Sequence, residues 1–351
     1  MSALPVPPVG TPVTPPDPSL VEAARERLNG LATPAGALGR LGELSLWVAA
    51  TQGAVPPAPI ERVRAVVFAG DHGVADHGVS AYPKAITGIM VRTFIAGKAG
   101  VSVLAAQHGV SLRVLDLGVE DPLDDVDPAV KAFKVNSGSR PIHLEDALTA
   151  EETQAALAAG ARIAAEEIAA GAQLLIPGDM GIGNTTPSSA LIAASLGLPA
   201  QEVTGRGTGV DDAGLAHKID VVQQALDRAG DRTDDPVQTL QALGSADLAA
   251  SASFIATAAR AAVPVLIDGV ISVAGALLAE RLAPGASAWC AAGHRSTEPA
   301  QSLALDKLGL DPILDLSMRL GEGSGAVAAV PLVRSAGLLL SETALLADLV
   351  P

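Results

Sequence analysis

Five short apolar runs alternate along the chain with longer stretches in which Ala, Leu and Ile recur at helical spacing. Apolar residues within the runs do not alternate with polar ones, which is typical of strands buried on both faces. The pattern therefore predicts the α/β class, with a mainly parallel, doubly wound sheet. The predicted strands are residues 63–68, 112–117, 174–176, 263–267 and 287–291.

Helical periodicity is strong over residues 150–170, where Glu166 and Glu167 are expected to face solvent. Helices are also predicted near both chain ends, at 20–31, 38–52 and 325–349, and we expect them to pack together as a smaller helical domain. The predicted organisation is a Pro-rich mobile arm (1–19), this helical domain (20–60 with 325–351) and a large α/β domain (61–324).

The composition is that of a globular, acidic protein. Apolar residues make up 49% of the chain and charged residues 17%, and the net charge is -15. Such a surface repels polyphosphate backbones and anionic lipids, which argues against nucleic acid and membranes as partners. Aromatic residues are only 2%, so surfaces for base stacking are scarce.

Two further features predict a cytoplasmic protein. Cys290 is the only cysteine, which excludes an intrachain disulfide and fits a reducing compartment. The first 20 residues lack the basic start and apolar stretch of a signal peptide. The best membrane candidate, residues 261–279, is interrupted by Pro264 and Asp268 and is predicted as a strand and a buried helix.

Glycine-rich polar segments follow the predicted strands, where ligands of open parallel sheets bind. The segment 178–186, Gly-Asp-Met-Gly-Ile-Gly-Asn-Thr-Thr, is the most informative. N–H groups of Gly181 and Gly183, beside a helix capped by Thr185 or Thr186, can cradle a phosphate. Tight turns alone also require glycine, so a purely structural loop is the alternative.

A second glycine-rich loop, residues 205–209, is followed by Lys218 on the next predicted helix. In an acidic protein, a Lys beside two such loops is a candidate counter-ion for phosphate. The alternative is a solvated surface Lys, which the sequence by itself favours.

Glu322 lies between Gly321 and Gly323, after a short apolar segment. The glycines allow the backbone to approach a ligand, and the carboxylate is a candidate general base. A turn Glu facing water is the alternative, and the sequence does not decide between them.

Asp-His-Gly occurs twice, with His72 and His77 at its centres. The paired Asp and His residues could be read as a metal site, but their spacing fits no zinc pattern. We interpret them as loop groups that orient backbone and substrate, and predict no metal site.

Together these segments resemble the nicotinate-nucleotide–dimethylbenzimidazole phosphoribosyltransferases of cobalamin biosynthesis. The matching segments fall in the family's order over roughly residues 20–340. They are LGRL at 38–41, GDHGV at 70–74, GVSAYP at 78–83, GDMGIGNTT at 178–186, GRGTG at 205–209, DG at 268–269, HRSTEP at 294–299 and RLGEGSGA at 319–326.

The resemblance implies a large doubly wound, Rossmann-like domain, a small helical domain from both chain ends, and a homodimer. It also implies that Glu322 is the general base, with no cofactor. The implied nucleotide- and phosphate-binding residues are Asp179, Met180, Gly181, Gly183, Asn184, Thr185, Gly207, Lys218 and Ser296. The implied wall of the base pocket is the segment 81–90 with Leu320, and its candidate contacts are Ser80, Ala81, Tyr82, Ile89 and Leu320.

The chain departs from the family pattern at several positions. Asp179 replaces a Glu and is one methylene shorter, while Ile89 replaces a Gln and removes a polar contact from the base pocket. Gly-Ser-Ala-Asp at 244–247 stands in place of Gly-Gly-Phe-Glu, and Gly-Lys-Ala-Gly at 97–100 in place of a Gly-Gly-Ala run. Ile89 leaves open which benzimidazole is preferred.

The implied reaction moves the phosphoribosyl group of nicotinate mononucleotide onto 5,6-dimethylbenzimidazole, giving α-ribazole 5'-phosphate and nicotinate. Three alternatives stay open at this point. The acceptor could be another azole, a purine or a phenol; the chain could be a non-catalytic nucleotide-binding module; or the Asp-His pairs could serve a metal-dependent hydrolase.

Overall fold

Parallel strands form the central sheet of the computed structural model, which describes residues 9–349. Within that range they are β1 (Val63–Gly70), β2 (Val110–Gly118), β3 (Leu174–Met180), β4 (Val265–Ile267) and β5 (Cys290–Ala292). The strand order is β2-β1-β3-β4-β5, so the chain changes direction across the sheet between β1 and β3. The predicted α/β class with a parallel sheet is confirmed, and its ligand crevice is expected at the carboxyl ends of the strands.

Helices cover both faces of this sheet. In chain order they are α1 (Pro18–Asn29), α2 (Gly39–Gln52), α3 (Ile86–Ile95), α4 (Gly100–His108), α5 (Ala150–Ala169), α6 (Thr185–Leu196), α7 (Ala200–Val203), α8 (Asp212–Ala229), α9 (Pro236–Leu243), α10 (Ala246–Arg260), α11 (Val270–Leu282), α12 (Pro299–Leu308), α13 (Ser324–Glu342) and α14 (Leu346–Leu349).

Alternate residues of β1 enter two separate hydrophobic cores. Val66 and Phe68 face the core that includes residues of α5, α10 and α11, whereas Ala65 and Val67 face the core shared with α3, α4 and α13. Burial on both faces explains why every residue of the strand except Arg64 is apolar.

Two predicted strands differ in extent from the observed ones. β3 runs on to Met180, because its last residues pair with β1 as far as Ala69. The run predicted at 287–291 begins as a 3-10 helix, Ala286–Trp289, and becomes a strand only at Cys290.

Terminal helices α1, α2 and α13 pack on one another, and Arg27 of α1 donates from Nε to the carbonyl of Leu340 at 2.7 Å. α2 and α13 also contribute Leu44, Val48 and Val330 to the core on one sheet face. The helix predicted to reach residue 349 ends at Glu342. The division into a large and a small domain stays a prediction.

Part of the expected mobile arm is held against the rest of the protein. Residues 1–8 lie outside the described range. Val13 is buried and donates its N–H to the Pro284 carbonyl at 2.7 Å, and Trp289 donates from Nε1 to the Thr14 carbonyl at 3.0 Å. Asp17 then caps α1 by accepting from Ser19.

Glu167 does not face solvent, so that prediction was wrong. It is 2% exposed and accepts hydrogen bonds from Arg113, at 2.9 Å, and from Arg64. Both arginines project from the neighbouring strands, and their charges allow a carboxylate on the inner side of α5.

Two apolar helical stretches, Ile86–His108 and Ser324–Glu342, have the length and composition of a membrane span. The first is interrupted between α3 and α4, and the second packs against α2 and the sheet. Residues 261–279 form β4 and most of α11, as predicted.

Candidate active site

Glu322 is buried close to the carboxyl end of β3. The side chain is 6% exposed, and its Oε2 accepts from the Val101 N–H, in the first turn of α4, at 3.1 Å. Burial raises the pKa of Glu322; the Val101 hydrogen bond opposes this shift, and the nearby Asp268 carboxylate adds to it. A turn Glu facing water is therefore the wrong interpretation.

The backbone of Glu322 touches β3 at Gly178. A Cβ at residue 178 would lie 2.2 Å from the Glu322 carbonyl oxygen, so only glycine fits at this point of the strand. Glu322 itself has φ +67, in the left-handed region, between two glycines that also have positive φ. The tight turn thus brings the carboxylate over the end of the sheet.

Asp268, the residue directly after β4, holds the same loop. Its Oδ2 accepts from the Gly323 N–H at 3.0 Å, and its Oδ1 accepts from the Ala326 N–H at 2.9 Å. Sequence reasoning gave Asp268 no role of its own. An Asp directly after a buried apolar strand was the available signal, because strand ends line the ligand crevice.

The segment after β3 turns into α6 and leaves backbone donors unused. Gly183 has φ +89, and none of the hydrogen bonds found within residues 9–349 uses the N–H of Gly181 or Gly183. Met180, the last strand residue, packs against the core. The predicted Thr cap was wrong, because Asn184 occupies the cap position and α6 already begins at Thr185.

Lys218 is fully buried beside this segment, so the solvated-surface interpretation was wrong. Its Nζ donates to Thr185 Oγ1 at 2.7 Å. A Cβ on Gly207 would lie 3.0 Å from that Nζ, which shows how closely the 205–209 loop approaches it. Burial lowers the pKa of Lys218 to about 8, although the charge of Glu298 opposes the shift.

Asp179 faces inward and pairs with another buried carboxyl group. Its Oδ1 accepts from Asn184 Nδ2 at 2.7 Å, which braces the segment between β3 and α6. Burial and the neighbouring Asp247 raise the pKa of Asp179 well above its usual value. Asp179 therefore supports the segment that carries Gly181 and Gly183.

Ser296 and Gly207 are joined through Glu298. Gly207 donates its N–H to Glu298 Oε1 at 2.8 Å, and the Glu298 N–H donates to Ser296 Oγ at 3.3 Å. Arg319 reaches from the Glu322 loop to the Gly207 carbonyl at 3.4 Å. The structure thus brings the predicted nucleotide-binding loops and the Glu322 loop together.

The predicted base-binding residues are anchored at one end and open at the other. Ser80 Oγ lies 3.3 Å from Thr208 Oγ1, which also accepts from the Ala81 N–H at 2.9 Å. The remaining three residues are each more than half exposed: Tyr82 55%, Ile89 54% and Leu320 54%. Within one chain all three of these largely apolar side chains are open to solvent.

The doubled Asp-His motif does not form a metal cluster. His72 is buried with its Nε2 3.5 Å from Asp247 Oδ2, whereas the ring of His77 packs on that of His143 at 4.6 Å. No group of three or more His, Cys, Asp or Glu within residues 9–349 is arranged to hold a metal ion. This arrangement gives the metal-hydrolase alternative no support.

A family described as phosphoribosyltransferase matches residues 13–349, and the chain belongs to this family. A relative from Mycolicibacterium paratuberculosis, 55% identical over 96% of both chains, is named nicotinate-nucleotide–dimethylbenzimidazole phosphoribosyltransferase. One from Mycobacterium tuberculosis with the same name is 53% identical over 95% of this chain and 92% of its own. The crystal structure of CobT from Thermus thermophilus superposes with a TM-score of 0.90 at 42% identity, covering 95% of this chain and 98% of that one.

Proposed function

We propose that this phosphoribosyltransferase moves the phosphoribosyl group of nicotinate mononucleotide onto 5,6-dimethylbenzimidazole, in the assembly of the lower-ligand nucleotide of cobalamin. The products are α-ribazole 5'-phosphate and nicotinate. The observation that carries the proposal is the burial of Glu322 beside the phosphate cradle, on a loop that three other elements hold in place. The full-length relatives of the same name support the choice of substrates.

The phosphate of the donor is assigned to the cradle around Lys218. Gly181 and Gly183 offer N–H groups that make no hydrogen bond within residues 9–349, beside the N-terminus of α6, and Lys218 supplies a buried ammonium group. Ser296, in the loop after β5, is linked to this site because its Oγ accepts from Glu298, which also accepts from Gly207. In a protein of net charge -15, these local donors are what would hold an anion.

The chemistry requires one base and no general acid. The ribose of nicotinate mononucleotide is attached to a positively charged pyridine nitrogen. When the bond between the ribose carbon and this nitrogen breaks, its electron pair returns to the nitrogen and neutralises it, so nicotinate leaves without being protonated. One nitrogen of the benzimidazole attacks the ribose carbon, and positive charge builds on its ring. The N–H at the other nitrogen then becomes acidic, and a single carboxylate suffices to accept its proton.

Glu322 is proposed as this carboxylate. Its Oε2 is occupied by the Val101 N–H, and no hydrogen bond to its Oε1 occurs within residues 9–349, which leaves Oε1 to accept a proton. Burial raises the pKa of Glu322, so it is a stronger base than a free Glu. A pure nucleotide-binding module would have no use for a buried base, which argues against that alternative.

The open base surface favours a homodimer. Tyr82, Ile89 and Leu320 expose apolar area next to the site, as does Val103 of α4, which is 57% exposed. A second copy would cover this area and exclude water from the acceptor. Light scattering during gel filtration should give twice the chain mass; a monomer at assay concentration contradicts the dimer. The cytoplasm as the place of action stays a prediction.

The direct test is incubation of the protein with nicotinate mononucleotide and 5,6-dimethylbenzimidazole. Nicotinate and α-ribazole 5'-phosphate should appear in equal amounts, separated by chromatography and identified by mass. The Glu322→Gln variant is the matched control, because it keeps the size of the side chain but removes the base. A panel of other azoles, a purine and phenol assayed with the same donor decides between acceptors. Absence of nicotinate release with every acceptor would refute the proposal.

A further inference from the structure

Glu298 is a buried carboxylate at the phosphate cradle. It lies just before α12, is 7% exposed, and uses its Oε1 to accept from the Gly207 N–H at 2.8 Å. Its Oε2 is buried and has no hydrogen-bond partner within residues 9–349. Burying a carboxylate with one satisfied oxygen is costly, so the position calls for an explanation beyond loop geometry.

Glu298 and Lys218 both lie close to Gly207. Gly207 donates its N–H to Glu298, and a Cβ at this residue would lie 3.0 Å from Lys218 Nζ. The negative charge of Glu298 raises the pKa of Lys218 and so opposes the effect of burial. Nearby, Arg206 is paired with Asp212, and the ring of His217 is turned to the His77 carbonyl.

We propose that Glu298 is a positioning residue of the phosphate site, which fixes the 205–209 loop through the Gly207 N–H and keeps the buried Lys218 ammonium charged. Without a negative charge nearby, an ammonium removed from water loses its proton more readily. Uncharged, Lys218 could not attract a phosphate. The inference rests on the proposed function, since it assumes that Lys218 binds the donor's phosphate.

Glu298→Gln separates the two parts of this role. The Gln carbonyl still accepts from Gly207, so the loop is kept, while the negative charge is lost. The pH above which KM for nicotinate mononucleotide rises should fall by roughly half to one unit, which is about a 3- to 10-fold higher KM at pH 9. At pH 6.5, where Lys218 is charged in both proteins, KM should be unchanged or lower. kcat at saturating donor should not change.

Two further variants make the outcome specific. Glu202→Gln makes the same substitution at an exposed carboxylate on α7, which packs against α8 and α12, and should leave the pH profile unmoved. Lys218→Arg keeps its charge over the whole pH range. Adding Glu298→Gln to this variant should therefore leave the pH dependence of its KM for nicotinate mononucleotide unchanged. If Glu298→Gln has the wild-type pH profile, or raises KM equally at every pH, the charge role is refuted.

Calorimetric titration of ribose 5-phosphate gives a readout that does not depend on turnover. As the pH is raised, the affinity of Glu298→Gln for ribose 5-phosphate should begin to decrease at a lower pH than that of the wild type. If turnover fails but this shift is present, the proposed reaction is wrong and the role of Glu298 stands. If turnover is normal but the shift is absent, the role of Glu298 is wrong and the reaction stands.

Discussion

A single methyl group at Gly178 should move the Glu322 loop and slow the reaction. A Cβ at this position would lie 2.2 Å from the Glu322 carbonyl oxygen, 2.8 Å from its carbon and 3.2 Å from the Gly323 nitrogen. Ordinary contact begins at 3.4 Å, so the loop must move by about 1.2 Å in Gly178→Ala. All three atoms are backbone atoms, and no side-chain rotation can relieve the clash.

A displacement of this size is expected to cost on the order of a hundredfold in kcat, because proton transfer depends on the position of the base. KM for nicotinate mononucleotide should change much less, since Lys218 and its Thr185 partner lie on α8 and α6 and not on the displaced loop. The assay is steady-state kinetics with both substrates varied. Thermal unfolding should be recorded in parallel, because overpacking costs about 1–3 kcal/mol and the assay must be run below the transition.

Gly30→Ala is the matched control for Gly178→Ala. Gly30 ends α1 with φ -86, and the atoms nearest to a Cβ there lie at 3.5 Å or more, so its kcat should equal that of the wild type. A folded Gly178→Ala protein with the wild-type kcat would show that the contact between β3 and the Glu322 loop does not set the position of the base.

Three further predictions concern the same site. Glu322→Gln should lower kcat by about 10²- to 10⁴-fold without changing KM for the donor, and near-normal steady-state rates would exclude it as the base. Because the pKa of Glu322 is raised, activity should be lost on acidification at a higher pH than for an ordinary Glu. Asp268→Asn removes a negative charge that adds to this shift, so the acid limb of the kcat/KM profile should move to lower pH. If the acid limb of Asp268→Asn coincides with that of the wild type, Asp268 does not raise the pKa of Glu322. Lys218→Ala should weaken the donor more than the acceptor, and equal changes in both KM values would argue against a phosphate role.

The fold class could be predicted because burial of a strand on both faces produces a run of apolar residues in the sequence. A strand covered on both faces is apolar at nearly every position, as β1 is apart from Arg64, and no tertiary information is needed to recognise it. The end of β3 could not be predicted in this way. Its last residues, Gly178, Asp179 and Met180, are not a run of apolar side chains, and the ladder with β1 makes them a strand.

Burial of Lys218 was open to prediction, although the sequence by itself favoured a surface Lys. Val221, Val222 and Ala225 follow it at three, four and seven positions and are buried, so helical spacing places Lys218 on the apolar face of α8. Glu167 lies in the same way on the buried face of α5, four residues after Ile163. A charged residue on such a face requires a partner or a ligand, and this is a stronger signal than residue type.

Other features of the site depend on contacts that no local pattern contains. The N–H that holds Glu322 belongs to Val101, 221 residues earlier in the chain. Asp179 meets Asp247 only because α10 packs against the sheet. Enclosure of the base pocket could not be predicted either. Tyr82, Ile89 and Leu320 are exposed in one chain, and their environment depends on what covers them.

The position of Glu322 is fixed by three elements, and none of them uses the oxygen that the reaction needs. The first turn of α4 holds Oε2, Asp268 directly after β4 holds the following backbone, and Gly178 of β3 sets how closely the loop approaches the sheet. The Val101 N–H favours the charged carboxylate, whereas burial and Asp268 favour its protonation and together prevail. A rigid carboxylate with one free oxygen and a raised pKa suits a base that must accept one proton from a weakly acidic ring N–H.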